Sequence, residues 1–560
     1  MNGIGMKYKN LKRYKKIGEV LAKYGFTFVT DRLIEKGYIP KLILRVKPMK
    51  SSMSDGEKLR RACEELGPTF IKLGQIMSTR RDIFSKEITE ELSKLQDNVK
   101  PFPFTLAEDI FENEMQRSLV DCFKEFDTTP IASASIGQVY KGTLKTGEKV
   151  VVKIQRPLIK EIIERDLYIL NDIAKLLDEH MDREKPYKLM EIVDEFSYVL
   201  KKELDYSLEG KNAEKFYENF KGDSNVVIPR VYWDFSSKRV LTLQRIYGIK
   251  IMDTDSMRKN KWNLQELATI SADCFAKQVF KFGFFHGDPH PGNIFVVDSN
   301  KIAFVDFGIV GFLDKGTMRL ITNLFTAATR KDVERIISIL IEIEALNPGT
   351  NIRRLKEDIS FIINFYYNMP LNKLNLGDTL RRIMDVAYVH KLKLPSQFII
   401  LLKSVIIFEG SVKSLNPEVS LSNIAKKFTK DIYFNKLNPR NLAIEFKDYS
   451  EEVLYGIKYL PKQIKRLIRK LENSQLKLKF DKNGIDKLEG IIYRSTNQLS
   501  LSMILSSLIM GFAIIFSNIN QLDYNKLLIF ALIGFLLTSI FGILIILSIL
   551  FKSIRKKKND

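Results

Sequence analysis

The stretch His286-Gly-Asp288-Pro-His-Pro-Gly-Asn293, with Val305-Asp306-Phe307-Gly308 close behind it, decides the fold. Asn293 follows Asp288 by five positions, and Asp306 follows Asn293 by thirteen. Phosphoryl transfer needs a carboxylate near the attacking oxygen and oxygen ligands for a Mg2+ on the β- and γ-phosphates. A D-x4-N loop followed by D-F-G supplies both. Between them, Ile294-Phe-Val-Val297, the turn Asp298-Ser-Asn300 and Ile302-Ala-Phe-Val305 read as the strand pair that carries the metal ligands. A carboxylate and an amide sharing a loop are otherwise ordinary turn chemistry. The two spacings together with D-F-G argue against that.

Working back along the chain, Val151-Val-Lys153-Ile-Gln155 lies 135 residues before Asp288 and has the form of a strand whose lysine holds the α- and β-phosphates. Just ahead of it runs Ile131-Ala132-Ser133-Ala134-Ser135-Ile136-Gly137-Gln138-Val139. Its position suits a phosphate-covering hairpin, although alanine and serine fill a tip that is usually glycine-rich, which makes it stiffer. Strand-like pieces are expected at Gln138–Leu144, Lys149–Ile154 and Val240–Gln244, with a charged helical stretch at Lys185–Phe220. In that stretch Asp205 and Glu209 fall on one helical face, and a kinase needs one glutamate there to fix the strand lysine. Two further helical patterns are split at Gly67-Pro68, and in the second Lys72, Gln75 and Ser78 share a face. Helix resumes near Asp314, and no A-P-E follows Gly308, which disfavours an ordinary protein kinase. Strands followed by helices within one unit indicate an α+β fold with a small sheet lobe and a helical lobe.

The composition limits the alternatives. The chain has 560 residues, 45% hydrophobic, and a formal net charge of +22. Its three cysteines are far apart and its four histidines lack H-E-x-x-H spacing, so neither a disulfide scaffold nor a histidine-built metal site is expected. Residues 1–60 hold 15 Lys/Arg against 5 Asp/Glu, and Lys458–Lys482 holds nine bases against two acids. Such patches suit nucleic acid or anionic membrane. The C-terminal region favours the membrane: Leu499–Ile519 and Leu527–Leu550 are uncharged runs of 21 and 24 residues, each long enough to span. Lys/Arg density is high on both outer flanks and low in the connector, so the flanks are expected in the cytoplasm and the chain on the cytoplasmic membrane with two spans.

At the level of motifs the chain resembles the UbiB family of atypical kinase-like proteins over roughly residues 50–440. The family's KxGQ signature is matched by Lys72-Leu-Gly74-Gln75, its alanine-rich loop by Ala132–Ser135, its ExD motif by Glu203-Leu-Asp205, and its HGDPHPGN and DFG motifs by His286–Asn293 and Asp306–Gly308. The resemblance implies a two-lobe protein-kinase-like fold. It implies MgATP bound by Lys153, Asn293 and Asp306, with Asp288 as the catalytic carboxylate. It also implies that the KxGQ helix covers the site where a peptide would dock. One of Glu203 and Glu209 would then pair with Lys72 and the other with Lys153. Gln244 departs from the glutamate usual at the family's hinge. The implied organisation is a basic arm at 1–54, a KxGQ extension at 55–120, an N-lobe at 121–250, a C-lobe at 251–440, a basic connector at 441–498, the hairpin at 499–551 and a tail at 552–560.

The leading functional expectation is a membrane-anchored ATPase or kinase that uses ATP and Mg2+ in support of isoprenoid-quinone or related lipid metabolism. The alternatives are a phosphotransferase on a small molecule or lipid head group, and a nucleotide-binding scaffold. Expected partners are anionic membrane lipid and a quinone or isoprenoid lipid or its biosynthetic enzymes, with no nucleic acid; a homodimer is left open.

Overall fold

The computed structural model describes residues 2–39, 53–95, 99–179, 188–347, 349–367 and 376–417, together with 419 and 536. The chain divides into units 1–441 and 442–560. The expected connector, both spans and the tail lie outside the described residues, Leu536 apart. Among the described residues no helix is long and apolar enough to cross a membrane.

The N-terminal layer consists of α1 (Asn2–Lys23), α2 (Thr27–Glu35), α3 (Asp55–Leu66), α4 (Pro68–Met77) and α5 (Lys86–Leu92). Gly67 closes α3 and opens α4 at φ +95°, a conformation that favours glycine, and Pro68 follows at the first helical position, where its missing N–H is no loss. Of the expected basic arm, residues 2–39 are largely helical and packed. Tyr14, Ile17 and Val20 are buried in the main core, because α1 is amphipathic and its apolar stripe needs cover. Arg13 forks onto the buried Asp166 at 2.7 and 2.6 Å and also donates to the Leu66 carbonyl.

The small lobe follows, through α6 (Phe104–Met115), α7 (Leu119–Cys122), β1 (Phe123–Phe126), β2 (Ala132–Ser133), β3 (Gly137–Leu144) and β4 (Lys149–Gln155). Next come α8 (Ile159–Asp178), α9 (Leu189–Glu203) and α10 (Tyr206–Asn219), then β5 (Val226–Val227) and β6 (Val240–Gln244). The antiparallel sheet runs β1-β3-β4-β6, with β2 on the edge of β3. Alternation sorts its side chains. Val150, Val152 and Ile154 sink into an apolar cluster with Ile110 and Phe111 of α6, so Lys153 must point to the other face, toward α10.

The large lobe contains β7 (Ile249–Lys250), α11 (Thr254–Lys259), α12 (Leu264–Ala276), β8 (Phe284–His286), β9 (Ile294–Asp298), β10 (Lys301–Phe304) and β11 (Val310–Phe312). Five helices complete it: α13 (Lys315–Thr329), α14 (Val333–Glu342), α15 (Ile352–Tyr367), α16 (Leu376–Val389) and α17 (Ser396–Leu415). Strands β9 and β10 form an antiparallel pair inside the sheet order β5-β10-β9-β7, and β8 pairs with β11. The loops that leave β8 and β10 carry the Asp288 and Asp306 motifs.

Candidate active site

Lys153 Nζ lies 2.8 Å from Glu209 Oε2 and 4.9 Å from the centre of the Tyr206 ring. Burial works against the lysine's charge, but Glu209 and Asp306 outweigh it and hold the ammonium well above its ordinary pKa. Burial likewise pushes the Glu209 carboxyl up, against the pull of Lys153. Glu203 is the partner of Lys72, at 3.3 Å. The two glutamates left open by the sequence are thus divided by the geometry.

Asp205 belongs to neither pair. It is the N-cap of α10, and its Oδ1 accepts from the backbone N–H and the hydroxyl of Ser207 at 3.1 and 2.5 Å. The expected shared face of Asp205 and Glu209 is therefore corrected: the helix breaks at Asp205, because a short carboxylate satisfies the first orphan amides of α10 better than it continues a helix.

Asp306 sits at φ +62°, the left-handed region that non-glycine residues rarely adopt. Its surroundings enforce this. Phe307 is buried against Phe216 at 4.9 Å and His286 at 5.6 Å, and the Asn212 amide donates to the Phe307 carbonyl at 2.9 Å. Lys153 holds the Asp306 carboxyl below its usual pKa, against desolvation, with further help from the Gly308 amide and Lys72.

His286 is fully buried and orients the loop. Its Nε2 lies 3.1 Å from the Val305 carbonyl and its Nδ1 accepts the Asp288 N–H at 3.2 Å, the pattern of a neutral ring with the proton on Nε2. Asn293 donates from Nδ2 to the Asp288 carbonyl at 3.2 Å, which leaves Oδ1 as the end of the amide suited to a cation. The Val305 N–H reaches the Asn293 carbonyl at 2.9 Å, so the Asp288 loop and the D-F-G strand are tied together. The Asp288 carboxylate is met at 3.1 Å by Lys403 of α17.

The alanine-rich segment is a tight hairpin of β2 and β3, closed by the Ala134 N–H on the Gly137 carbonyl at 2.8 Å. A Cβ at Gly137 would lie 2.4 Å from the Tyr206 hydroxyl and 2.6 Å from the Ile154 carbonyl, so no larger residue fits without a shift. Arg156 braces the tip through the Ala134 carbonyl and the Ser133 hydroxyl, each at 2.9 Å. Val139 opposes Lys153 and shares its face. Gln138 opposes Ile154, is fully buried, and accepts from the Tyr140 hydroxyl. Its side chain is therefore turned away from Lys153, which corrects its place among the ATP-binding candidates to one of backbone alone.

Two members of the expected polar row on α4 also turn elsewhere. Gln75 donates to the Leu95 carbonyl at 3.3 Å. Ser78 stands at the C-cap and bonds back to the Gln75 carbonyl at 2.6 Å. Lys72 is the member of the row that meets a site carboxylate, that of Glu203.

The arrangement is kinase-like, and comparison with known proteins agrees. A family profile described as the ABC1 atypical kinase-like domain matches residues 94–340; the UbiB helical domain matches 359–420 and the ABC1/UbiB kinase-like C-terminal domain 483–551. The "Probable protein kinase UbiB" of Marinobacter nauticus is 33% identical over 426 residues, covering 75% of this chain and 78% of that protein. The chain belongs to the UbiB family of atypical kinase-like proteins. An uncharacterized protein in the hydrogenase 1 5' region of Clostridium pasteurianum is 31% identical to this UbiB-family chain, covering 96% of it and 98% of the relative. The Rv3197–erythromycin complex from Mycobacterium tuberculosis overlaps 72% of the chain at 21% identity with a TM-score of 0.48.

Sequence reading missed Lys403, Arg156, the orienting role of His286, and Gln278, whose Oε1 accepts the His286 N–H at 3.0 Å. Asn212 was within reach of it, since it stands three residues beyond Glu209 on the same helix and so on a neighbouring face. Lys403 has no local signal, being 115 residues beyond Asp288.

Proposed function

We propose that this chain binds MgATP between its two lobes and hydrolyses it, and that it does so at a membrane in support of isoprenoid-quinone or related lipid metabolism. The observation that carries the reading is the part-buried Lys153–Glu209 pair at 2.8 Å with Asp306 beside it in the left-handed conformation. A buried glutamate, a part-buried lysine and a second carboxylate held together, with shifted ionisation, mark a place where a ligand can use the charges.

The donor set fits the metal. Asp306 contributes an ionised carboxylate and Asn293 an amide oxygen, the hard ligands Mg2+ prefers beside phosphate oxygens. When bound, Mg2+ would spread the charge of the β- and γ-phosphates. Lys153, held in place by Glu209, is the group for the α- and β-phosphates, and the β2–β3 hairpin covers them with backbone. Asp288, aimed through its own N–H by His286, orients the attacking oxygen and takes its proton.

Water is favoured as acceptor over a protein hydroxyl. The α4 helix is held over the site through Lys72 and Glu203, and α13 begins directly after its cap Asp314, which leaves no A-P-E segment to dock a peptide. The two uncharged C-terminal runs and the family resemblance support the membrane and lipid parts of the reading. The test is phosphate release and MgATP titration on the purified full chain. Asp306→Asn should lose nucleotide affinity, and Asp288→Asn should keep affinity and lose turnover. Unchanged turnover in both variants refutes the proposal, and a phosphorylated acceptor in place of free phosphate would turn it into a phosphotransferase.

A further inference from the structure

The catalytic loop lacks one thing that the proposed chemistry requires. A γ-phosphoryl group arriving at Asp288 brings negative charge to a carboxylate, and a cation is needed at that point to offset the repulsion and to hold the charge that develops during transfer. Neither His286–Asn293 nor Val305–Phe312 contains a lysine or an arginine. His290, the other basic candidate in the loop, uses its Nδ1 to accept the Gly292 N–H at 3.2 Å. Lys153 is engaged by Glu209 and Lys72 by Glu203.

The structure supplies the missing cation from α17. Lys403 Nζ is 3.1 Å from Asp288 Oδ1, with its side chain 24% exposed and that of Asp288 36% exposed. A lysine free to choose on a helix surface would extend into water. This one is directed inward by its neighbours. Ser404 is fully buried and donates to the Gly287 carbonyl at 3.0 Å, which fixes α17 against the residue before Asp288. One turn further on, Phe408 stacks on Phe275 of α12 at 4.4 Å and 17°. The helix therefore has no freedom to slide, and Lys403 stands where the reacting phosphate would meet Asp288.

We propose that Lys403 is the γ-phosphate ligand of this site, a catalytic cation delivered by the C-terminal helical segment rather than by the catalytic loop. The inference rests on the MgATP reading above. In the step it serves, a water oxygen forms a bond to the γ-phosphorus. The bond from that phosphorus to the β,γ-bridging oxygen breaks, and its electron pair leaves with ADP. The water proton goes to Asp288, while Lys403 donates to a γ-phosphoryl oxygen throughout. The alternative is a purely structural pair that staples α17 to the loop.

The two differ in what they do to ATP and ADP, since only ATP carries the γ-phosphate. The experiment uses the full chain in detergent, as wild type, Lys403→Ala, Lys403→Met, Lys403→Arg and a same-helix control, Lys413→Ala, whose partner is Glu409. Phosphate release, MgATP and MgADP affinities and melting temperature are measured for each. The Ala and Met variants are expected to lose on the order of 10²-fold in kcat, as for other deleted transition-state donors. They should bind MgATP about tenfold more weakly, the effect of one lost interaction of roughly 1.4 kcal/mol, while MgADP affinity stays within about twofold and Arg restores most of the loss. Equal weakening of ATP and ADP, or kcat values matching those of Lys413→Ala, overturn the proposal, as does loss confined to melting temperature. If wild type binds MgATP and Asp306→Asn does not, the nucleotide reading survives such a result. If wild type binds no nucleotide, both fall together.

Discussion

Glu209→Gln is the sharpest probe of the site, because it keeps the shape of the side chain and removes only its charge. Glu209 Oε2 is 2.8 Å from Lys153 Nζ, and the two side chains are 7% and 24% exposed. At such a separation the gross attraction is about 6 kcal/mol for an effective dielectric near 20. Two things offset the loss. The neutral amide no longer carries the burial cost that raises the Glu209 pKa, and Asp306 remains beside the lysine. A net loss of about 2 kcal/mol in Lys153 positioning follows, or roughly 30-fold in MgATP affinity. Glu203→Gln should leave that affinity within about threefold, because the partner of Glu203 is Lys72 at 3.3 Å and not Lys153. Calorimetric titration of MgATP into wild type, both single variants and the Lys153→Met/Glu209→Gln double variant measures this. The double variant should be no worse than Lys153→Met alone. An effect of Glu203→Gln as large as that of Glu209→Gln would refute the assignment of the two pairs, and a twofold effect of Glu209→Gln would refute the magnitude argument.

Lys72→Ala should change MgATP affinity or raise self-phosphorylation, whereas Lys86→Ala, at a side chain 67% exposed, should do neither; identical behaviour of the two would remove α4 from the site. Asp166→Asn should destabilise the chain by about 3 kcal/mol, since it strands Arg13 beneath α1 with its partner neutralised; a drop in melting temperature at unchanged nucleotide affinity checks it. Burial pushes the Cys63 thiol up to about 12, and Cys122 and Cys274 are raised by the same cause. Only about one Cys63 in ten thousand is thiolate at pH 8, so the native chain should resist maleimide until denatured. That inertness permits a topology test without removing native cysteines. A cysteine at Asn520 should react with an impermeant reagent from outside intact cells and one in the tail 552–560 should not; labelling of the tail would overturn the expected membrane hairpin.

Much of the architecture is written in short-range pattern. The two-residue alternation at 149–154 and 240–244 marks strands because successive side chains of an extended backbone face opposite ways, and the structure has strands at those residues. Gly67-Pro68 marks the break between α3 and α4 because each residue restricts its own backbone. The same locality explains Asp288, Asn293 and Asp306: one turn and one hairpin bring them together, so their spacing survives as a sequence motif.

Features whose cause lies within a few residues are legible before the chain packs: the strand alternation, the helix break, the loop chemistry and the long uncharged C-terminal runs. Partner choice is not. Glu203 and Glu209 are equivalent in the sequence, and the kink capped by Asp205 sends one to Lys72 and the other to Lys153. Gln138 looked like part of the phosphate loop, and its register opposite Ile154 turned it to the other side of the sheet. Arg13 read as one more base in a charged arm until α8 brought Asp166 beneath it, 153 positions away. Lys403 became part of the site because Ser404 and Phe408 hold α17 against the loop of Asp288. The physical reason is common to all four. Backbone conformation is set by neighbours along the chain, but an ion pair or a buried hydrogen bond is set by distance in space, and that distance exists only once the layers have packed.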